Sequence, residues 1–138
     1  MMNEDDRDVD PDLLPGELSF YLGNYSGRSC MIRWDGISLR AEKTEGGNFS
    51  GISRIYKPDA GQWRVFWAMV DDLGVWSWER SYVASHGCCG VTYWQLALSH
   101  GGHTISSSGE DLFPDSEGAG VSAVFRAFIE AIQALCNE

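Results

Sequence analysis

His86, Cys88 and Cys89 crowd one short stretch of the chain. An imidazole beside two thiols has the donor set to bind Zn²⁺, or to pair a thiolate nucleophile with a general base. Zinc, however, takes four ligands at chelating spacings, and adjacent cysteines do not form a Cys-x-x-Cys unit. The other two histidines, His100 and His103, are separated from this loop by a strand of about eight residues, roughly 26 Å long at ~3.3 Å per residue. The expectation is a loop with exposed thiols and no metal, and a protein with no cofactor. A small thiol-dependent enzyme or metal-binding protein using the His86-Cys88-Cys89 loop is the alternative.

Other residues carry weaker chemistry. His100 and His103 flank Gly101-Gly102, so a two-residue hairpin sets the imidazoles opposite each other on its last rung, where two ligands alone make a poor metal site. Gly118-Ala119-Gly120-Val121-Ser122-Ala123 matches the dinucleotide fingerprint Gly-x-Gly-x-x-Ala. No strand runs into it and none follows, so the βαβ context that gives the motif its function is missing. There is no phosphate-binding Gly-x-x-x-x-Gly-Lys-Ser/Thr loop and no Gly-x-Ser-x-Gly nucleophile elbow.

Two acidic pairs are better candidates for binding. Asp71 and Asp72 close a helical pattern, where the dipole disfavours acids, so they cost stability unless something uses them. Glu110 and Asp111 follow a strand pattern beside Phe113-Pro114, and an acid next to an exposed aromatic makes a docking surface. The binding set read from the sequence is therefore Glu110, Asp111, Phe113, Asp71 and Asp72. Trp63, Trp67, Trp76, Trp78 and Trp94 read as core; a ligand cleft would need several of them exposed together.

These side chains sit on a 138-residue chain that is 43% hydrophobic, 12% aromatic and 22% charged, a composition that fits a single globular domain. The net charge is −10. Half of it lies in residues 1 to 12, where Glu4, Asp5, Asp6, Asp8, Asp10 and Asp12 face only Arg7. Duplex nucleic acid is repelled by such a balance, and a basic protein is the easier partner. No apolar run approaches the ~20 residues a membrane helix needs, so no membrane association is expected. The opening residues have neither a basic n-region nor an apolar h-region, which makes the cytoplasm the expected location. There Cys30, Cys88, Cys89 and Cys136 should be free thiols, with Cys136 near the core.

Residues 1–16 read as an acidic flexible tail, and residues 17–138 as one α+β domain. Leu18, Phe20 and Leu22 alternate, as do Cys30, Ile32 and Trp34, a period of two that predicts a hairpin. Asp35-Gly36 then turns the chain into a third strand over Ile37 to Ala41. A weaker fourth strand is expected within Phe49 to Tyr56. Asp59 with Gln62 three residues on predicts a capping box, Trp63, Phe66, Trp67 and Val70 a helix with one apolar face, and Gly74 its left-handed stop. Beyond it Trp76, Trp78, Arg80 and Tyr82 alternate as a strand from Val75, Trp94, Leu96 and Leu98 as another from Val91, and Gly101-Gly102 turns into a strand over Thr104 to Ser108. A last helix carries Val121, Val124, Phe125, Phe128, Ile129, Ile132 and Leu135 on one stripe. The expected architecture is an antiparallel sheet of about six strands with two helices packed on one face.

The second half resembles a pattern of small bacterial α+β proteins. The residues that carry it are Trp63 with Phe66, Leu73-Gly74-Val75-Trp76-Ser77-Trp78, Tyr82, Trp94-Gln95-Leu96, Ser107-Ser108-Gly109-Glu110-Asp111-Leu112-Phe113-Pro114 and the closing helix, over roughly residues 58 to 136. The usual form has Asp-Gly where this chain has Cys88-Cys89-Gly90, and Gly-x-Asn-x-Tyr-Pro where it has Gly109 to Pro114. The resemblance implies an α+β fold and brings no catalytic residue with it. Small size, acidity and the lack of catalytic signatures together point to a non-enzymatic cytoplasmic interaction module, immunity- or inhibitor-like, presenting acidic loops to a basic partner.

Overall fold

The computed structural model describes residues 10–24, 29–44, 52–83, 92–110, 114 and 123–136. Within them the chain forms strands β1 (Glu17–Asn24), β2 (Ser29–Trp34), β3 (Leu39–Thr44) and β4 (Ile52–Tyr56). Helix α1 (Ala60–Leu73) follows, then β5 (Ser81–Val83), β6 (Thr92–His100), β7 (His103–Glu110) and helix α2 (Ala123–Leu135). All strands belong to one sheet in the order β4-β3-β2-β1-β6-β7-β5. The described residues therefore contain seven strands, one more than the sequence suggests.

β1 is the seam that makes one sheet of the two halves. Its alternating apolar residues serve both neighbours: Leu18, Phe20 and Leu22 lie opposite Leu98, Leu96 and Trp94 of β6, while Phe20 and Leu22 lie opposite Ile32 and Cys30 of β2. A period of two keeps all of these on one face. That face carries the helices. Trp63, Phe66, Trp67 and Val70 are the four buried residues of α1, and α2 buries Phe125, Phe128, Ala131, Ile132 and Leu135. Aromatic rings knit the layers together, with Phe20 and Phe128 edge to face at 5.6 Å and Trp34 and Trp63 edge to face at 5.5 Å. No helix among the described residues is long and apolar enough to cross a membrane.

Both ends of α1 are set by the predicted residues. Gln62 N–H donates to Asp59 Oδ1 at 2.8 Å and Asp59 N–H to Gln62 Oε1 at 2.9 Å, closing the capping box. Gly74 takes φ +69° and donates its N–H back to the carbonyls of Asp71 and Val70. The Gln62 side-chain amide also reaches the Ala134 carbonyl at 3.0 Å, tying α1 to the C-terminal end of α2.

Two expectations need correction. The strand read from Val75 to Tyr82 is mostly not a strand: Val75–Ser77 is a 3-10 turn, and only Ser81–Val83 pairs, parallel to β7. Local bonds win there, since Ser77 N–H and Oγ both donate to the Gly74 carbonyl and Trp78 N–H donates to Val75. The following Glu79 and Arg80 carbonyls are held by the Ser107 hydroxyl and Ser108 N–H, which delivers the chain to the sheet edge only at Ser81.

The third strand begins at Leu39 rather than Ile37. Asp35 Oδ1 accepts from Ile37 N–H at 2.9 Å and Ser38 N–H at 2.8 Å, and Asp35 N–H donates to the Ser38 carbonyl. This side-chain turn holds Ile37 outward at 76% exposure. The lead-in is described only from Asp10, and residues 1–9 of the expected tail lie outside the described residues. From Asp10 onward it is docked: Pro11–Leu13 forms a 3-10 turn, Leu13 and Leu14 pack against the core, and Gly16 N–H donates to the Ser99 carbonyl.

Candidate functional site

The β6–β7 turn is the two-residue hairpin expected of Gly101-Gly102, with φ of +59° and +86°. Two positive φ values in succession are a conformation that glycine adopts without strain. Its tightness sets His100 and His103 directly opposite each other. α1 crosses this end of the sheet and supplies Trp67, whose ring lies over His100 at 3.8 Å between centroids with 3° between planes. The Gly74 reversal brings Trp76 alongside, 6.4 Å from Trp67 with 15° between planes and 5.2 Å from His103. Two indoles and two imidazoles thus form one array, buried at Trp67 and open to solvent at His103.

Each indole N–H and one imidazole nitrogen are engaged. Trp67 Nε1–H donates to the Leu13 carbonyl at 2.6 Å. His100 Nε2 lies 2.7 Å from the Asp12 carbonyl, which can only accept, so the proton sits on Nε2. Trp76 Nε1–H donates to Asp71 Oδ1 at 3.0 Å. A metal bound to His100 through Nε2 would have to displace a formed hydrogen bond. No group of three or more His, Cys, Asp or Glu among the described residues is placed to hold a metal ion.

The acids read from the sequence separate. Asp71 and Asp72 are exposed in the last turn of α1, and Asp71 accepts the Trp76 indole N–H. Asp10 and Asp12 are exposed at the same end, where the Asp12 backbone meets His100. Neither Asp71 nor Asp72 has a Lys or Arg partner among the described residues. Glu110 is exposed at the far end of β7, opposite Tyr93 and next to Val83 of β5. Seven residues of strand, about 23 Å at ~3.3 Å each, part it from His103. Asp111, Phe113, His86, Cys88 and Cys89 lie outside the described residues, as does most of the Gly118 to Ala123 fingerprint.

The tryptophans also divide. Trp63, Trp67, Trp78 and Trp94 are buried as expected, whereas Trp76 is only half-buried. Sequence periodicity joined Trp76 to Trp78 on one strand face. The 3-10 turn instead sends Trp78 into the core against Phe128 at 5.3 Å and leaves Trp76 at the rim. The sequence does hold a signal for the array, a His-Gly-Gly-His hairpin, but only the fold shows which helix covers it.

Among the described residues Cys30 and Cys136 are unpaired thiols, each partly buried against the core. Burial raises both, the Cys136 thiol to about 11 with the nearby Cys30 adding to the rise and Lys43 opposing it. They are packing residues, with little thiolate to offer at neutral pH. Compared with known proteins, the chain matches no family model and no curated protein.

Proposed function

We propose that the protein is a non-enzymatic interaction module of the cytoplasm, immunity- or inhibitor-like, that receives a basic protein partner at the acid-flanked end of the β6–β7 hairpin. The observation that carries this reading is the half-buried Trp76, its N–H held by Asp71, with exposed Asp72, Asp10 and Asp12 at the same end. Aromatic rings with one open side, rimmed by charge, are where interfaces concentrate binding energy. The net charge of −10 adds long-range attraction for a cationic partner and repels duplex nucleic acid and anionic membranes alike. Free thiols at Cys30 and Cys136, raised by burial, suit a reducing compartment.

The test is capture of a partner from the source cell on the immobilised full chain, beside a chain with Asp10, Asp12, Asp71 and Asp72 changed to Asn. The reading expects one stoichiometric basic protein, released by salt and lost from the substituted chain. Equal capture by both chains, or an acidic partner held through salt, contradicts it.

A further inference from the structure

We propose that the open side of the Trp76–His103 pair is a seat for an arginine side chain of the cationic partner. The inference rests on the binding reading above and names the residue type that this end of the module recognises.

Trp76 is fixed on three counts: its ring lies nearly parallel to Trp67, its N–H is held by Asp71, and His103 stacks on it at 5.2 Å. The ring is therefore rigid before any partner arrives, and it remains half-buried beside the exposed His103. Leaving an ordered indole partly in water forgoes apolar burial, which a planar side chain laid against it would recover.

Charge complementarity selects which planar side chain. Asp71 and Asp72 occupy the last turn of α1, at the negative end of the helix dipole, and that turn contains no basic residue. Asp71 is turned to the indole of Trp76, and Asp72 has no Lys or Arg partner among the described residues. A guanidinium answers both features. It stacks flat on an indole, offers a fork of N–H donors to a carboxylate, and puts a positive charge where the helix carries two negative ones. A lysine ammonium matches the charge but has no flat face.

The experiment titrates the full chain at low salt with two unstructured peptides of equal length and charge, one bearing arginines and the other lysines, by calorimetry. The arginine peptide should bind about two- to fivefold tighter, the range that an exposed cation–π contact covers. Asp72→Asn should weaken the arginine peptide several-fold while raising the melting temperature, because it removes an acid from the negative helix end. Trp76→Leu should abolish the preference for arginine.

Equal binding of the two peptides overturns the seat, as does an Asp72→Asn chain that binds arginine normally. If both peptides bind equally and both are lost from the chain with the four Asp→Asn changes, the arginine seat fails while the wider reading stands. If neither peptide binds, the seat is also overturned, and partner capture then decides the wider reading separately.

Discussion

Trp67 and His100 stack face to face at 3.8 Å and donate their ring N–H groups to consecutive backbone carbonyls, Trp67 to Leu13 and His100 to Asp12. One residue comes from α1, the other from the end of β6, and the carbonyls from the lead-in. Three parts of the chain distant in sequence are fixed by two side chains. The same two rings position Trp76 and His103 at the surface, so the proposed binding end inherits its rigidity from this clamp.

Trp67 should accordingly be among the most costly residues to truncate. Trp67→Ala is expected to lose roughly 3–5 kcal/mol on denaturant titration, since it opens the apolar face of α1 as well as breaking the stack. Trp67→Phe keeps an aromatic ring but no donor, and should lose about 1–3 kcal/mol through the unpaired Leu13 carbonyl. A loss below about 1 kcal/mol for the alanine variant would be that of a surface residue.

Deletions should resolve the lead-in residue by residue. Composition makes residues 1 to 12 look dispensable, whereas the Asp12 carbonyl binds His100 and Leu13 and Leu14 pack against the core. Removing residues 1–9 should leave the melting temperature within about 4 °C, the shift worth ~1 kcal/mol in a domain of this size. Removing residues 1–14 should lower it by more than that, because both ring donors lose their acceptors. Equal melting temperatures for the two deletions would contradict the clamp.

Much of the fold is legible in the sequence. The capping box at Asp59 and Gln62, the stop at Gly74, the hairpin at Gly101-Gly102 and the buried stripe of α1 each depend on residues close in sequence, and each appears as read. What failed was decided by bonds the pattern does not encode. Ser77 bonds the Gly74 carbonyl instead of a strand neighbour, and Asp35 closes a side-chain turn that delays β3 to Leu39. The site was half legible. Asp71 and the two histidines stood out by type and position, but the ring array depends on α1 crossing the hairpin end, a long-range packing choice with no local signature.

Acid titration should reveal the Asp35 turn. The N–H groups of Ser38 and Ile37, with Arg40 at 3.7 Å adding less, hold the Asp35 carboxyl below the usual carboxylate range. A folded pKa that is depressed gives stability that is complete above the unfolded value and lost as pH falls through the folded one. Asp35→Asn should thus be less stable than the parent near neutral pH, with the difference closing in strong acid. A difference that is constant with pH would mean that the charge plays no part.

The thiols should show the opposite sign. With its folded pKa raised to about 11 by burial, Cys136 adds stability that is complete below the ordinary thiol range and lost as pH rises through the folded value. Cys30 is raised in the same direction. Alkylation near pH 8 should be slow at both cysteines in the native protein and fast in urea, read by peptide mass mapping. Rapid native labelling of Cys136 would place it outside the core.

The central claim, that a cationic partner docks at the Trp76 end of the hairpin, is tested most directly by indole N–H resonances in a ¹⁵N spectrum. On titration with a cationic partner at low salt, the Trp76 Nε1–H signal, held by Asp71 at the surface, should shift progressively and return on adding salt. The indoles of Trp63 and Trp94, wholly buried, should stay in place. Saturable binding that leaves Trp76 unmoved, or that shifts the backbone around Tyr93 and Glu110 instead, would put the partner on another surface and contradict the account.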